Sequence, residues 1–133
     1  KARRCLVIAT GFYEWQVQGK AKQPMWIGLK SHRPFAFAGL WEQWQPPEGA
    51  AIESCTILTT DPNELLRPIH NRMPVILAPT AYDQWLDPTA QQAASLQALL
   101  RPYPSEELQA YAVSTLVNNP RQDSPDCLEP LPA

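Results

Sequence analysis

No stretch of the 133 residues approaches the run of about eighteen apolar residues that a helical membrane span requires. A secretory leader is also missing, because Lys1-Ala2-Arg3-Arg4-Cys5 runs straight into an apolar, strand-like segment. A soluble cytoplasmic protein with no membrane partner is the expectation. Cysteine is scarce: Cys5, Cys55 and Cys127 are far apart, odd in number and form no C-x-x-C pair. That argues against a zinc site and for reduced thiols, so no metal and no cofactor are expected. The chain also lacks an initiator Met and opens on a strand already under way, as a fragment would. No internal repeat or interdomain linker interrupts it, and residues 1–133 read as one domain.

What is present is enough for a core. Apolar residues make up 44% and charged residues 18%, outside the composition of a disordered chain. The net charge of −2 does not suggest a nucleic-acid binder, but it averages two unlike halves. Residues 1–72 hold nine Lys and Arg against six Asp and Glu, whereas residues 73–133 hold two against seven. The first half can therefore present a basic surface, although solvated charges without a partner explain the same count.

Cys5–Ala9 reads as a buried strand. Phe12–Val17, the turn Gln18-Gly19-Lys20 and Met25–Leu29 read as a hairpin. Phe35–Trp41, Ser54–Thr60, Met73–Leu77 and Tyr111–Val117 complete the expected strands. Asp61 and Pro62 have the character of a helix N-cap and first helical position, giving a short helix that Pro68 ends. Longer helices are expected over 79–86 and 89–100, the second with Ala93, Leu96, Leu99 and Leu100 on one face. Fifteen prolines favour many enforced turns. The pattern gives an α+β fold, mainly antiparallel sheet with a barrel-like core and a few short flanking helices.

Two residues could carry chemistry. Glu14 lies among large aromatics in Gly11-Phe12-Tyr13-Glu14-Trp15; pointed inward, its carboxyl would be hard to desolvate and its pKa would rise. Read locally, an outward-facing strand glutamate is the plainer account. His70, between Pro68 and Pro74, lies in a stiff loop where an imidazole can move protons near neutral pH; read locally, a passive loop histidine is the plainer account. Of the five tryptophans, at least three are expected to be structural, and exposed ones could stack on bases.

Taken together and in order, these motifs resemble the SOS response-associated peptidase (SRAP) family. Arg4-Cys5-Leu6-Val7 with Gly11-Phe12-Tyr13-Glu14-Trp15 is similar to its basic-led strand and Gly-aromatic-Tyr-Glu-Trp element. Phe37–Glu42, Thr56–Thr60, Ile69–Leu77 and Val113–Asn119 resemble its later strands. The resemblance implies a DNA-repair protein acting on abasic sites in single-stranded DNA. In that family the α-amine of an N-terminal cysteine condenses with the open-chain aldehyde, and its thiol closes a thiazolidine ring. By motif, Glu14 and His70 would be the catalytic pair, Trp15, Thr59 and Arg72 would line the DNA groove, and Arg4 would add a basic contact. No residue here matches the terminal cysteine, since position 2 is Ala2; about a third of the domain would lie upstream, and the 133 residues alone would form no crosslink. Cys5 is no substitute, because its nitrogen is a peptide N–H. A thiol autopeptidase that removes the initiator Met, and a noncatalytic single-strand-binding module, are the alternatives. A sheet edge left unpaired would invite self-association.

Overall fold

The computed structural model describes residues 3–90 and 92–132. Lys1 and Ala2 at the chain's opening, and Gln91 within the expected second helix, lie outside them. The strands are β1 (Arg4–Ala9), β2 (Phe12–Gln18), β3 (Ala21–Leu29), β4 (Phe35–Trp44), β5 (Ile52–Ile57), β6 (Thr59–Thr60), β7 (Met73–Pro74), β8 (Ile76–Leu77) and β9 (Leu108–Ala112). Two short helices are α1 (Tyr82–Leu86) and α2 (Ala93–Gln97). The pairing is antiparallel throughout the two larger sheets, as the α+β expectation holds, but the sheets stay open and do not close into a barrel. Among the described residues no helix is long and apolar enough to cross a membrane.

The chain folds into two compact units. The first comprises residues 1–9, 35–61 and 74–103; the second comprises 10–34, 62–73 and 104–133.

In the first unit β4 is the central strand. It pairs with β1 along one edge and with β8 and then β5 along the other. Ala38, Val75, Leu77 and Trp85 form its core, with Leu6, Leu40, Leu58, Tyr82, Leu96, Leu99 and Leu100 packed against them. The Trp85 indole N–H donates to the Cys5 carbonyl (2.9 Å), which satisfies the polar atom of a side chain only 2% exposed. The Cys5 side chain lies against Gly39, where an added Cβ would come within 2.9 Å of its sulfur. Burial pushes the Cys5 thiol up, with Cys55 adding to the effect, so Cys5 behaves as a packed thiol. All six residues of β5 are exposed.

In the second unit the β2–β3 hairpin turns at Gly19, whose φ of 63° is left-handed and suits glycine. β3 then pairs with β9, which leaves β2 at one edge of the order β2-β3-β9. Strand alternation sends successive β2 side chains to opposite faces. On one face Gln16 donates to the Pro68 carbonyl (3.0 Å) in the 62–73 segment. On the other, the Tyr13 hydroxyl donates to the Cys127 carbonyl (3.0 Å) and the Trp15 indole to Asn118 Oδ1 (2.6 Å). Trp26, Ile27, Leu66, Ile69, Met73, Leu108, Val113 and Cys127 are buried here. The Trp26 indole occupies the space that a Cβ would need at both Gly11 and Gly28.

Several sequence expectations shift. The helix at Asp61 does not form. Asn63 caps a tight turn instead: its Oδ1 accepts from the Leu66 N–H (2.9 Å), while its carbonyl accepts from Arg67 (2.9 Å). The 79–86 segment is a 3-10 turn followed by α1, and the 89–100 helix shrinks to five residues. Gln92, its N-cap, supplies no side-chain hydrogen bond, and upstream Asp87 Oδ1 instead accepts from the Thr89 N–H (2.9 Å) and hydroxyl (2.7 Å). The last strand ends at Ala112. Ser114 Oγ then accepts from the Leu116 N–H (3.1 Å) and turns the chain into 3-10 geometry. Only two tryptophans, Trp26 and Trp85, are buried, not three; Trp41 and Trp44 are exposed and Trp15 is half-buried.

Candidate active site

Glu14 is at the middle of β2, where alternation turns it to the face that carries the 62–73 segment. That segment is fixed by its apolar residues. Leu66, Ile69 and Met73 are all buried, and the Leu66 carbonyl accepts from both Ile69 (2.8 Å) and His70 (2.9 Å). His70 is thus held between two buried anchors while its own side chain stays partly in solvent.

The two side chains converge. His70 Nε2 lies 3.8 Å from Glu14 Oε1. On the far side of the ring, the Arg72 backbone N–H donates to Nδ1 (3.1 Å), and the Arg72 carbonyl is 3.2 Å from the same nitrogen. With the proton on Nε2, the nitrogen facing Glu14, the neutral ring accepts from the N–H; with it on Nδ1, the ring donates to the carbonyl. The protonated ring can likewise donate from Nδ1 to the carbonyl. Burial holds the Glu14 carboxyl above the usual carboxylate range, and a charged His70 pulls it partly back.

Glu14 and His70 open on one cavity of about 510 Å³, lined also by Trp15, Val17, Lys22 and Asn118. The cavity wraps the edge strand β2, since Glu14 and His70 belong to one face of the sheet and Trp15 to the other.

Residues 1–120 match the family model described as SOS response associated peptidase (SRAP). The chain belongs to this family. Similar SRAP-related proteins include the abasic site processing protein YoqW of Bacillus subtilis, 49% identical over 96% of this chain and 58% of that protein. The abasic site processing protein HMCES of Gallus gallus is 37% identical over 98% of this chain and 44% of its own length. A crystal structure of a Bacteroides thetaiotaomicron protein superposes with a TM-score of 0.87 at 31% identity, covering 97% of this chain and 57% of that one. The chain thus spans between 44% and 58% of the length of these relatives.

The other SRAP positions read from sequence fall in different places. Arg72 is exposed on the His70 loop, and Trp15 lines the cavity. Thr59 is exposed in β6, within the first unit. Arg4, also in the first unit, turns inward: its guanidinium donates to the carbonyls of Trp85, Asp87 (2.6 Å) and Ala90 (2.8 Å), and lies 5.5 Å from the Trp85 ring centroid. Lys22 and Asn118 were not singled out as cavity residues. Lys22 was legible in principle, because a two-residue turn at Gly19-Lys20 sets Val17 opposite Lys22. Asn118 reaches Trp15 across 103 positions, and nothing local signals that. Among the described residues no group of three or more His, Cys, Asp and Glu is arranged to hold a metal ion.

Proposed function

We propose that this chain supplies the acid–base pair and part of the DNA-binding surface of a repair protein that captures abasic sites in single-stranded DNA as covalent thiazolidine adducts. The observation that carries the reading is the Glu14–His70 pair, 3.8 Å apart at the wall of one open cavity. The names of the relatives, abasic site processing proteins, support it.

The chemistry needs two proton transfers. An abasic sugar reacts as its open-chain aldehyde, so its ring oxygen must be protonated as the C1′–O4′ bond breaks; His70 Nε2–H suits that step. An α-amine with a pKa of about 7.7–8.0 attacks only when neutral, and the Glu14 carboxylate can take its proton. The carbinolamine then loses water, with the departing oxygen protonated by one of the pair, and leaves an imine. Addition of a thiol to the imine carbon closes the five-membered ring. The amine and thiol come, on this reading, from the family's terminal cysteine, which has no match in these 133 residues. Trp15 and Arg72 would line the strand's path in the second unit, and Thr59 would be a DNA contact of the first. Arg4, with its donors on three carbonyls, would hold the fold together rather than touch DNA. Such a protein would work in the bacterial cytosol.

The test extends the chain to its relatives' length with a terminal cysteine and adds a single-stranded oligonucleotide bearing one abasic site. A band that survives denaturation is expected, formed about 10²–10⁴-fold more slowly in Glu14→Gln and His70→Ala. Wild-type rates in both variants would rule the mechanism out.

A further inference from the structure

The acid–base chemistry uses only one side of the cavity. The other side is formed by Trp15, Val17, Lys22 and Asn118. Val17 and Lys22 are directly opposed in the hairpin, so their side chains share the face that also carries Trp15. The Trp15 indole is held by Asn118 Oδ1 at 2.6 Å, which fixes its ring at the rim. Lys22 is exposed and has no salt bridge among the described residues.

We propose that Lys22 binds a backbone phosphate of the strand whose sugar is held at Glu14 and His70, and that Trp15, positioned by Asn118, supports the adjoining nucleotide. The proposal rests on the functional reading above, since it takes the cavity to receive a DNA strand. Electrostatics gives the strand an orientation. An ionised Glu14 repels phosphate, so a polyanion entering this cavity needs a cation on the wall away from the carboxylate. Lys22 is the cation that lines the cavity on that side. A lysine ammonium binds phosphate as a point charge and accepts many approach angles. An indole offers a face on which any base can stack. The wall would therefore hold the strand without regard to sequence and present the lesion's C1′ to the acid–base pair.

The experiment measures binding of the protein to a fluorescent single strand carrying a stable tetrahydrofuran abasic analogue, and to the undamaged strand, by anisotropy across a KCl series. Lys22→Gln is expected to weaken binding about 3–10-fold at low salt and to lower the slope of log K against log[salt] by about 0.7, while Lys22→Arg retains both. A neutral methylphosphonate placed next to the lesion should weaken the wild type and leave Lys22→Gln indifferent. An unchanged salt slope in Lys22→Gln, or equal sensitivity of both proteins to the methylphosphonate, overturns the assignment. If the wild type binds damaged and undamaged strands alike while Lys22→Gln still loses slope, the phosphate contact stands and the abasic-site reading falls. A wild type that binds neither strand overturns both.

Discussion

Replacing Gly11 with alanine would put a methyl group into space held by the Trp26 indole, a ring only 6% exposed. The ring has little room to retreat, because Gly28 gives it the same close approach on β3 and Tyr111 stacks on it at 5.1 Å. Overpacking of this kind costs about 1–3 kcal/mol. Against it stands a gain of about 0.4–1 kcal/mol, because alanine restricts the unfolded chain more than glycine does. The net expectation is a loss of about 0–2.6 kcal/mol, toward the upper end because the added Cβ would come within 2.3 Å of the ring. Urea unfolding followed by circular dichroism measures it as a lower midpoint at constant slope. A second background isolates the cause. In Trp26→Phe the ring is smaller, so Gly11→Ala should become neutral or slightly stabilising, a coupling of about 1 kcal/mol or more between the two sites. If Gly11→Ala matches the wild type, or if its penalty persists unchanged in Trp26→Phe, the cradle argument is wrong.

Glu14→Gln tests the half-buried carboxyl. Its folded-state pKa is raised, so the folded protein holds the proton more tightly than the unfolded chain; that stabilisation is complete below the unfolded value and lost as pH rises through the folded one. Glutamine cannot ionise. Melting temperatures of variant and wild type should therefore run parallel below about pH 4 and diverge in favour of the variant toward neutrality, and a divergence in the opposite sense would contradict the desolvation account. Arg4→Met should lower stability by about 1.5–3 kcal/mol, the worth of a charged hydrogen-bonding group, and leave the salt dependence of DNA binding unchanged; a lowered slope would return Arg4 to the DNA contacts.

The strands were easier to read than the helices for a physical reason. β1 to β4 combine apolar or aromatic runs with turn residues, and the Gly19 turn fixes a register that side-chain alternation then propagates. The helices were overextended because periodicity reports which face is buried, not where the helix starts. Leu96, Leu99 and Leu100 do pack on the core, yet without a capping side chain at Gln92 only five residues stay helical. The Asp61-Pro62 signal failed because Asn63, two residues on, captures the Leu66 N–H and closes a single turn. Of the site, Glu14 and His70 were visible through motif resemblance. The resemblance also required the two to share a pocket; what carries no local signal is how Leu66, Ile69 and Met73, all buried, anchor the loop that brings them together.

The two compact units are each assembled from three separate stretches, and the backbone passes from one to the other five times, near residues 10, 35, 62, 74 and 104. Neither can be excised as a continuous piece, and the second is complete only once its last stretch, 104–133, has emerged. Assembly must close long loops before most native pairing rewards them, so slow maturation is inherent in the wiring. A protease nick at any of the three inner crossings, near residues 35, 62 or 74, would divide both units between two fragments.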